Sequence, residues 1–288
     1  MTAVAIVTDS SSCLPADVLE RYGIIVVPMT VQMGGETYRD SEMEAAQLYS
    51  ELRTGQCSPT SSAPAPGEFL IAYRKARDTG AESALCLTMS ARYSGTHDSA
   101  VNAQNEARRE MPGFRIDVVD TKCVAMAHGF AVRAAAEAVG SGASIEEAGV
   151  AAKELAARVQ LVGALDGTAF LAKSGRIPWI AHWVASLLRF RPVITAKGEK
   201  IGAIGRPRTR EGALACMLAY FDREVRSRGR THVAVLHADA PQRAEELAVT
   251  VRGRVDPAEL FVTEFSTVMG VHTGPDFLGL AFYTEPSV

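Results

Sequence analysis

Three polar patches could do chemistry: Ser61-Ser62 in a proline-rich loop, Ser94-Gly95-Thr96 after an apolar run, and His272-Thr273-Gly274-Pro275 near the C-terminus. Each supplies uncharged donors and few charges. Such groups suit an oxygen anion held beside an apolar cavity, where hydrogen bonds must offset the desolvation of a carboxylate. Ser94 is the most informative of them. Residues 83–89 read as a strand and residues 96–110 as a helix, so its hydroxyl stands at a strand's C-terminal edge. Ligands of open α/β sheets bind at that edge, and helix N-termini favour anions because their first N–H groups lack intrahelical partners.

The same residues admit other chemistries. A serine nucleophile needs a base and an orienting acid. The Gly-x-Ser-x-Gly elbow is missing, because Arg92 stands where the first glycine belongs. A serine ahead of a helix also serves as a cap, and turn chemistry accounts for all three patches equally well. Histidines at 97, 128, 182, 232, 237 and 272 form no His-x-x-x-His pair; His237-Ala-Asp239 is only a two-ligand fragment. Gly140-Ser-Gly142 lies between two helices and no phosphate loop occurs. No metal and no cofactor is expected.

Strand and helix patterns alternate through the first half, with strands at 3–8, 24–28, 83–89 and 115–119. Helices are expected at 15–22, 43–53, 68–78, 96–110, 123–139 and 144–158. Three prolines and four Ser/Thr in residues 57–67 predict no regular element there. This alternation predicts a mainly parallel sheet covered on both faces. The pattern changes near 160. Strand 160–165, a short helix at 167–173, an apolar stretch at 179–190 and a hairpin at 191–205 come next. A helix (210–226), strand (231–237), helix (240–252) and strands 260–265 and 279–284 complete the chain. The reading is α/β in two domains: 1–160, an α/β domain with the hydroxyl patches, and 161–288, an α+β domain with the His-Thr-Gly-Pro motif.

The 288 residues are 47% apolar and carry a net charge of −3, which allows a sizeable core and argues against nucleic acid as a partner. No apolar stretch reaches membrane-spanning length, and the first residues lack a signal peptide's basic region. Five cysteines without a Cys-x-x-Cys pair fit a reduced, cytoplasmic protein.

Taken together, the motifs resemble the DegV family, which includes the fatty-acid-binding subunits of bacterial fatty acid kinase. Asp9-Ser10-Ser11-Ser12-Cys13-Leu14 is similar to the family's opening Asp-Ser-x-x-Asp-Leu. Ser61-Ser62-Ala63-Pro64-Ala65-Pro66-Gly67-Glu68-Phe69 resembles Thr-Ser-Gln-Pro-Ser-Pro-Gly-Glu-Phe. Tyr93-Ser94-Gly95-Thr96 with Ser99-Ala100 resembles Leu-Ser-Gly-Thr-x-x-Ser-Ala. Leu171-Ala172-Lys173-Ser174-Gly175-Arg176-Ile177, Arg191-Pro192-Val193-Ile194 and His272-Thr273-Gly274-Pro275 match later motifs in order and spacing.

The resemblance implies a two-domain fold enclosing a long-chain fatty acid between the domains. Its carboxylate would rest on Ser61, Ser94 and His272, supported by Ser62, Gly95, Thr96, Thr273, Gly274 and Arg208. It also implies a carrier without catalysis of its own. The acid would be presented to the ATP-binding subunit of a fatty acid kinase, which forms the acyl phosphate used in phospholipid synthesis. A serine esterase and a lipid-sensing regulator are the alternatives. The apolar face of 179–190 (Trp179, Ile180, Trp183, Val184, Leu187, Leu188) would line the tail or serve as a core helix. Two departures bear on the site: Cys13 replaces a capping Asp, and Asp276 replaces a glycine where an acid would repel a carboxylate.

Overall fold

A computed structural model describes residues 4–177, 190–225 and 229–285. The chain divides into two compact units. The first holds the chain up to Val31, Thr37–Glu42 and Ser61–Ala157; the second holds Gln32–Glu36, Met43–Thr60 and the chain from Arg158 onward.

In the first unit β1 (Val4–Asp9), β2 (Ile25–Val27), β6 (Ser83–Thr88) and β7 (Arg115–Asp120) form a wholly parallel sheet in the order β2-β1-β6-β7. A parallel sheet needs cover on both faces, and the period-two alternation of these strands provides two apolar faces. Val7, Ala84, Cys86 and Ile116 pack with α3 (Pro66–Asp78) and α4 (Thr96–Glu110), through Phe69, Tyr73, Ala100, Ala103 and Ala107. The alanines at 100, 103 and 107 keep that face of α4 thin enough for Tyr73 to reach across and donate to Ala100 O at 3.1 Å. Leu85 and Val119 face the other way, under Gly149 of α6 (Ile145–Arg158). The unit also carries α1 (Ala16–Tyr22) and α5 (Ala125–Gly140).

In the second unit β8 (Gln160–Ala164), β9 (Val193–Lys197), β10 (Lys200–Gly205), β11 (Thr231–His237), β12 (Glu259–Glu264) and β13 (Leu278–Thr284) form a mixed sheet ordered β10-β9-β8-β13-β11-β12. Only β11 and β12 pair in parallel. Helices α8 (Arg210–Glu224) and α9 (Pro241–Arg252) cover it through Met217, Phe221, Ala244, Leu247 and Val251. Gly163 and Gly279 leave room for the Phe277 ring, since a Cβ at either would fall 2.4 or 2.9 Å from it. Helices α2 (Ala45–Thr54), α7 (Ala169–Lys173) and α10 (Thr267–Thr273) also belong to this unit.

A third sheet, ordered β4-β3-β5, comprises β3 (Thr30–Met33), β4 (Glu36–Arg39) and β5 (Thr60–Ser62). It corrects the reading of 57–67 as wholly irregular. Prolines 59 and 64 flank residues 60–62 rather than interrupt them, so their backbone N–H groups stay available to a ladder. Pro66 opens α3 at the first helical position, where its missing N–H costs nothing. Helix α10, absent from the sequence reading, begins at Ser266, whose side chain accepts from Met269 N. The 179–189 part of the apolar stretch lies outside the described residues.

Candidate functional site

The first unit presents the Ser94 turn at the C-terminal edge of its parallel sheet. After β6 the chain turns through residues 89–95 and enters α4 with Gly95 at the N-cap. Ser94 stands one residue outside the helix. Its Oγ accepts from Thr96 N at 3.3 Å and hydrogen-bonds Thr96 Oγ1 at 2.7 Å, where either hydroxyl can donate. Ser94 is half-buried, Gly95 exposed and Thr96 fully buried. The turn therefore holds two hydroxyls together at a helix entrance, a polar edge suited to an oxygen anion. Among the described residues, Ser94's hydrogen-bond partners include no imidazole and no acid, the groups that activate a serine nucleophile. Ser61 and Ser62, at the end of β5, are half-buried as well.

In the second unit His272 occupies the last turn of α10. Burial, then the nearby positive charge of Arg176, push its pKa down to about 4, so the imidazole is neutral near pH 7. Thr273 Oγ1 turns inward to Met269 O at 3.1 Å, which leaves it supporting the helix end. Gly274 follows at φ +75°, and a Cβ there would fall 2.2 Å from the Phe170 ring. Glycine is required at this position on both counts.

The electrostatic neighbour of His272 is Arg176, in the Leu-Ala-Lys-Ser-Gly-Arg-Ile motif, and not Arg208. Arg208 is exposed, and its carbonyl accepts from Arg191 Nη1 at 3.0 Å. Arg176 stands in a motif to which the sequence reading assigned no role. Asp276 is engaged elsewhere: Arg210, Arg53 and Arg243 lie 3.2, 3.5 and 3.6 Å from its carboxylate. Its charge is compensated by three guanidinium groups, and its backbone sits at φ +65°. That conformation suits glycine, and Asp is among the residues that also tolerate it.

Cys13 also has a role that the sequence concealed. It closes the 3-10 turn Ser10–Ser12 in the left-handed conformation, with its Sγ donating to Ser11 O at 3.3 Å. Among the described residues, no group of three His, Cys, Asp or Glu forms a metal site, and no helix is long and apolar enough to cross a membrane.

Comparison with known proteins adds the family. The profile of the DegV family, described as an uncharacterised protein family, matches residues 3–285. A DegV domain-containing protein of Streptomyces coelicolor is 36% identical over 96% of this chain and 97% of its own length. A Thermus thermophilus DegV family protein, described by its fatty acid binding, superposes with a TM-score of 0.86 at 31% identity, covering 98% of this chain and 99% of the other. DegV of Bacillus subtilis, described as a fatty acid binding protein, superposes with a TM-score of 0.87 at 25% identity, over 99% and 100% of the two chains. The match in sequence and fold over nearly the whole length shows that this chain belongs to the DegV family.

Proposed function

We propose that this protein binds a long-chain fatty acid, with Ser61, Ser94 and His272 as the carboxylate's partners, and presents it to a fatty acid kinase in the cytoplasm. The observation that carries this reading is the end-to-end similarity to the fatty-acid-binding Thermus protein. The paired hydroxyls of Ser94 and Thr96 and the neutral His272 support it. A neutral imidazole offers an N–H to a carboxylate without forming a tight ion pair that would hold the product. Arg176, beside His272, is the nearer cation for an acid or an acyl phosphate. The phosphoryl chemistry belongs to the partner, since the sequence holds no phosphate loop.

Energetics divide the labour. Burying an acyl methylene is worth about 0.8 kcal/mol, so ~14 of them approach ~11 kcal/mol gross. A hydroxyl bond nets about 0.5–1.5 kcal/mol. The tail sets affinity and the head-group donors set orientation, with ordering and association costs subtracted from the sum.

Native mass spectrometry of gently purified protein tests this reading. The expected result is an excess mass of one fatty acid, exchangeable with added oleate. Protein that carries no acid and ignores added oleate would exclude it. A lipid-sensing regulator would bind oleate but yield no acyl phosphate when supplied with kinase and ATP. An esterase is disfavoured by Ser94's partners, both of them from Thr96.

A further inference from the structure

The opening motif Asp9-Ser10-Ser11-Ser12 has no part in the carboxylate site described above, yet it is among the most buried polar segments of the chain. Asp9 and Ser11 are 0% exposed and Ser12 is 2% exposed. One carboxylate oxygen of Asp9 accepts from Ser11 N at 3.1 Å and from Ser11 Oγ, which orients the group. The other accepts from Met89 N at 2.8 Å, eighty residues away. The register of the sheet explains this bond. The β1–β6 ladder ends at Thr8–Leu87, and Met89 is buried at 6% exposure beyond it. Its N–H has run out of strand, and a buried N–H must find an acceptor. The Asp9 side chain supplies the acceptor that the backbone no longer offers.

Met89 opens the turn that carries Ser94. Ser90 N then donates to Cys123 O at 2.9 Å, and Tyr93 N closes onto Ser90 O at 3.1 Å. His128 lies 3.6 Å from Asp9, and burial lowers its pKa, which favours the neutral ring. Thr121 spends its single proton on Thr88 O, so it accepts from His128 Nδ1; Nε2 is left to accept from Thr8 Oγ1. The Asp9 carboxylate is thus compensated by its donors alone. The motif is itself anchored. Ser10 Oγ accepts from Met29 N at 3.0 Å, and Gly129 lets α5 approach so closely that a Cβ there would lie 2.4 Å from Ser12 O.

We infer that Asp9 is the positioning residue of the Ser94 turn: through Met89 N it sets where the head-group hydroxyl stands. The inference rests on the fatty-acid reading for its functional consequence and on the Asp9–Met89 bond for its structural one. Asp9→Asn keeps the shape; its single amide oxygen stays with the two Ser11 donors, so its NH2 turns toward Met89 N. The expected outcome is amide exchange at Met89 about tenfold or more faster, the scale of one lost hydrogen bond to a charged group. Bound [1-13C]oleate should show a displaced carboxyl resonance and release about two- to tenfold faster, up to the full loss of the Ser94 hydroxyl's bond, while α3 amides keep their protection. Ser11→Ala, which leaves the Met89 bond in place, should preserve the resonance. A folded Asp9→Asn protein with unchanged Met89 exchange overturns the inference, as does faster exchange with an unmoved resonance and unchanged release. Should that variant not fold, the wild type decides: a through-hydrogen-bond coupling between Met89 15N and Asp9 13Cγ is expected, and its absence overturns the inference. If the wild type takes up no oleate, the fatty-acid reading fails, while Met89 exchange and the coupling still judge Asp9.

Discussion

At the residue scale, the carboxylate partners are weak individually and selective together. Ser94→Ala removes one hydroxyl and frees Thr96 N and Oγ1 from their local partner. Oleate release should accelerate by roughly two- to tenfold, the range of one neutral hydrogen bond, with tail affinity otherwise kept. Displacement of a fluorescent fatty acid measures this, and no ester turnover should depend on the serine, which meets no base among the described residues. His272 tests the electrostatics. In the ligand-free protein its ring should titrate at about 4, because burial disfavours the charged form. A bound carboxylate should raise that midpoint, since an opposite charge favours the protonated form. Histidine-selective NMR titration with and without oleate reads both states; an identical midpoint would place the acid away from His272.

At the element scale, the end of α10 and the start of β13 are held by shape and by charge. Gly274→Ala forces a Cβ into the Phe170 ring at a positive φ and should cost about 2 kcal/mol or more, read as a lowered urea midpoint. Asp276 sits at the centre of a network in which Arg210 also meets Asp166. Arg53 also meets Asp239. Register explains the convergence. His237, Leu278 and Ala164 lie side by side on β11, β13 and β8, and each acid lies two residues beyond that row. Asp276→Ala should destabilise by about 1 kcal/mol at low salt, and less at high salt, because these pairs are partly exposed and screened. Equal losses at both ionic strengths would argue for packing rather than charge.

At the scale of the whole molecule, histidines of opposite character shape stability against pH. Burial lowers the pKa of His128, of His237 and of His272. Each favours the folded state fully above the ordinary value of 6.5 and penalises it as pH falls toward the folded pKa. His232 is the reverse: its hydrogen bond to Glu259, with Glu285 on the other ring nitrogen, raises its pKa. Its contribution is complete below about 6.5 and is lost as pH rises through the raised value. Stability should fall on both sides of neutrality, and His232→Gln should flatten only the alkaline side of a denaturation series. Oleate should raise the melting temperature in proportion to the logarithm of its concentration, as binding to the folded state requires.

Much of this was legible in the sequence because it is local. Short apolar, β-branched runs marked the parallel strands of the first unit, and helix-period patterns marked α3, α4, α8 and α9. Motif order alone pointed to the family. What only the tertiary structure decided involves partners distant in sequence. Residues 30–39 and 60–62 become strands through pairing that no local pattern announces. Asp276 is steered by arginines from three separate segments, and His272 finds its cation in Arg176 rather than Arg208. Ser94 shows the division most plainly. Its place between strand and helix follows from its neighbours, but the bond that anchors its turn comes from Asp9, because a backbone N–H beyond the end of a strand can be satisfied only by whatever the fold brings beside it.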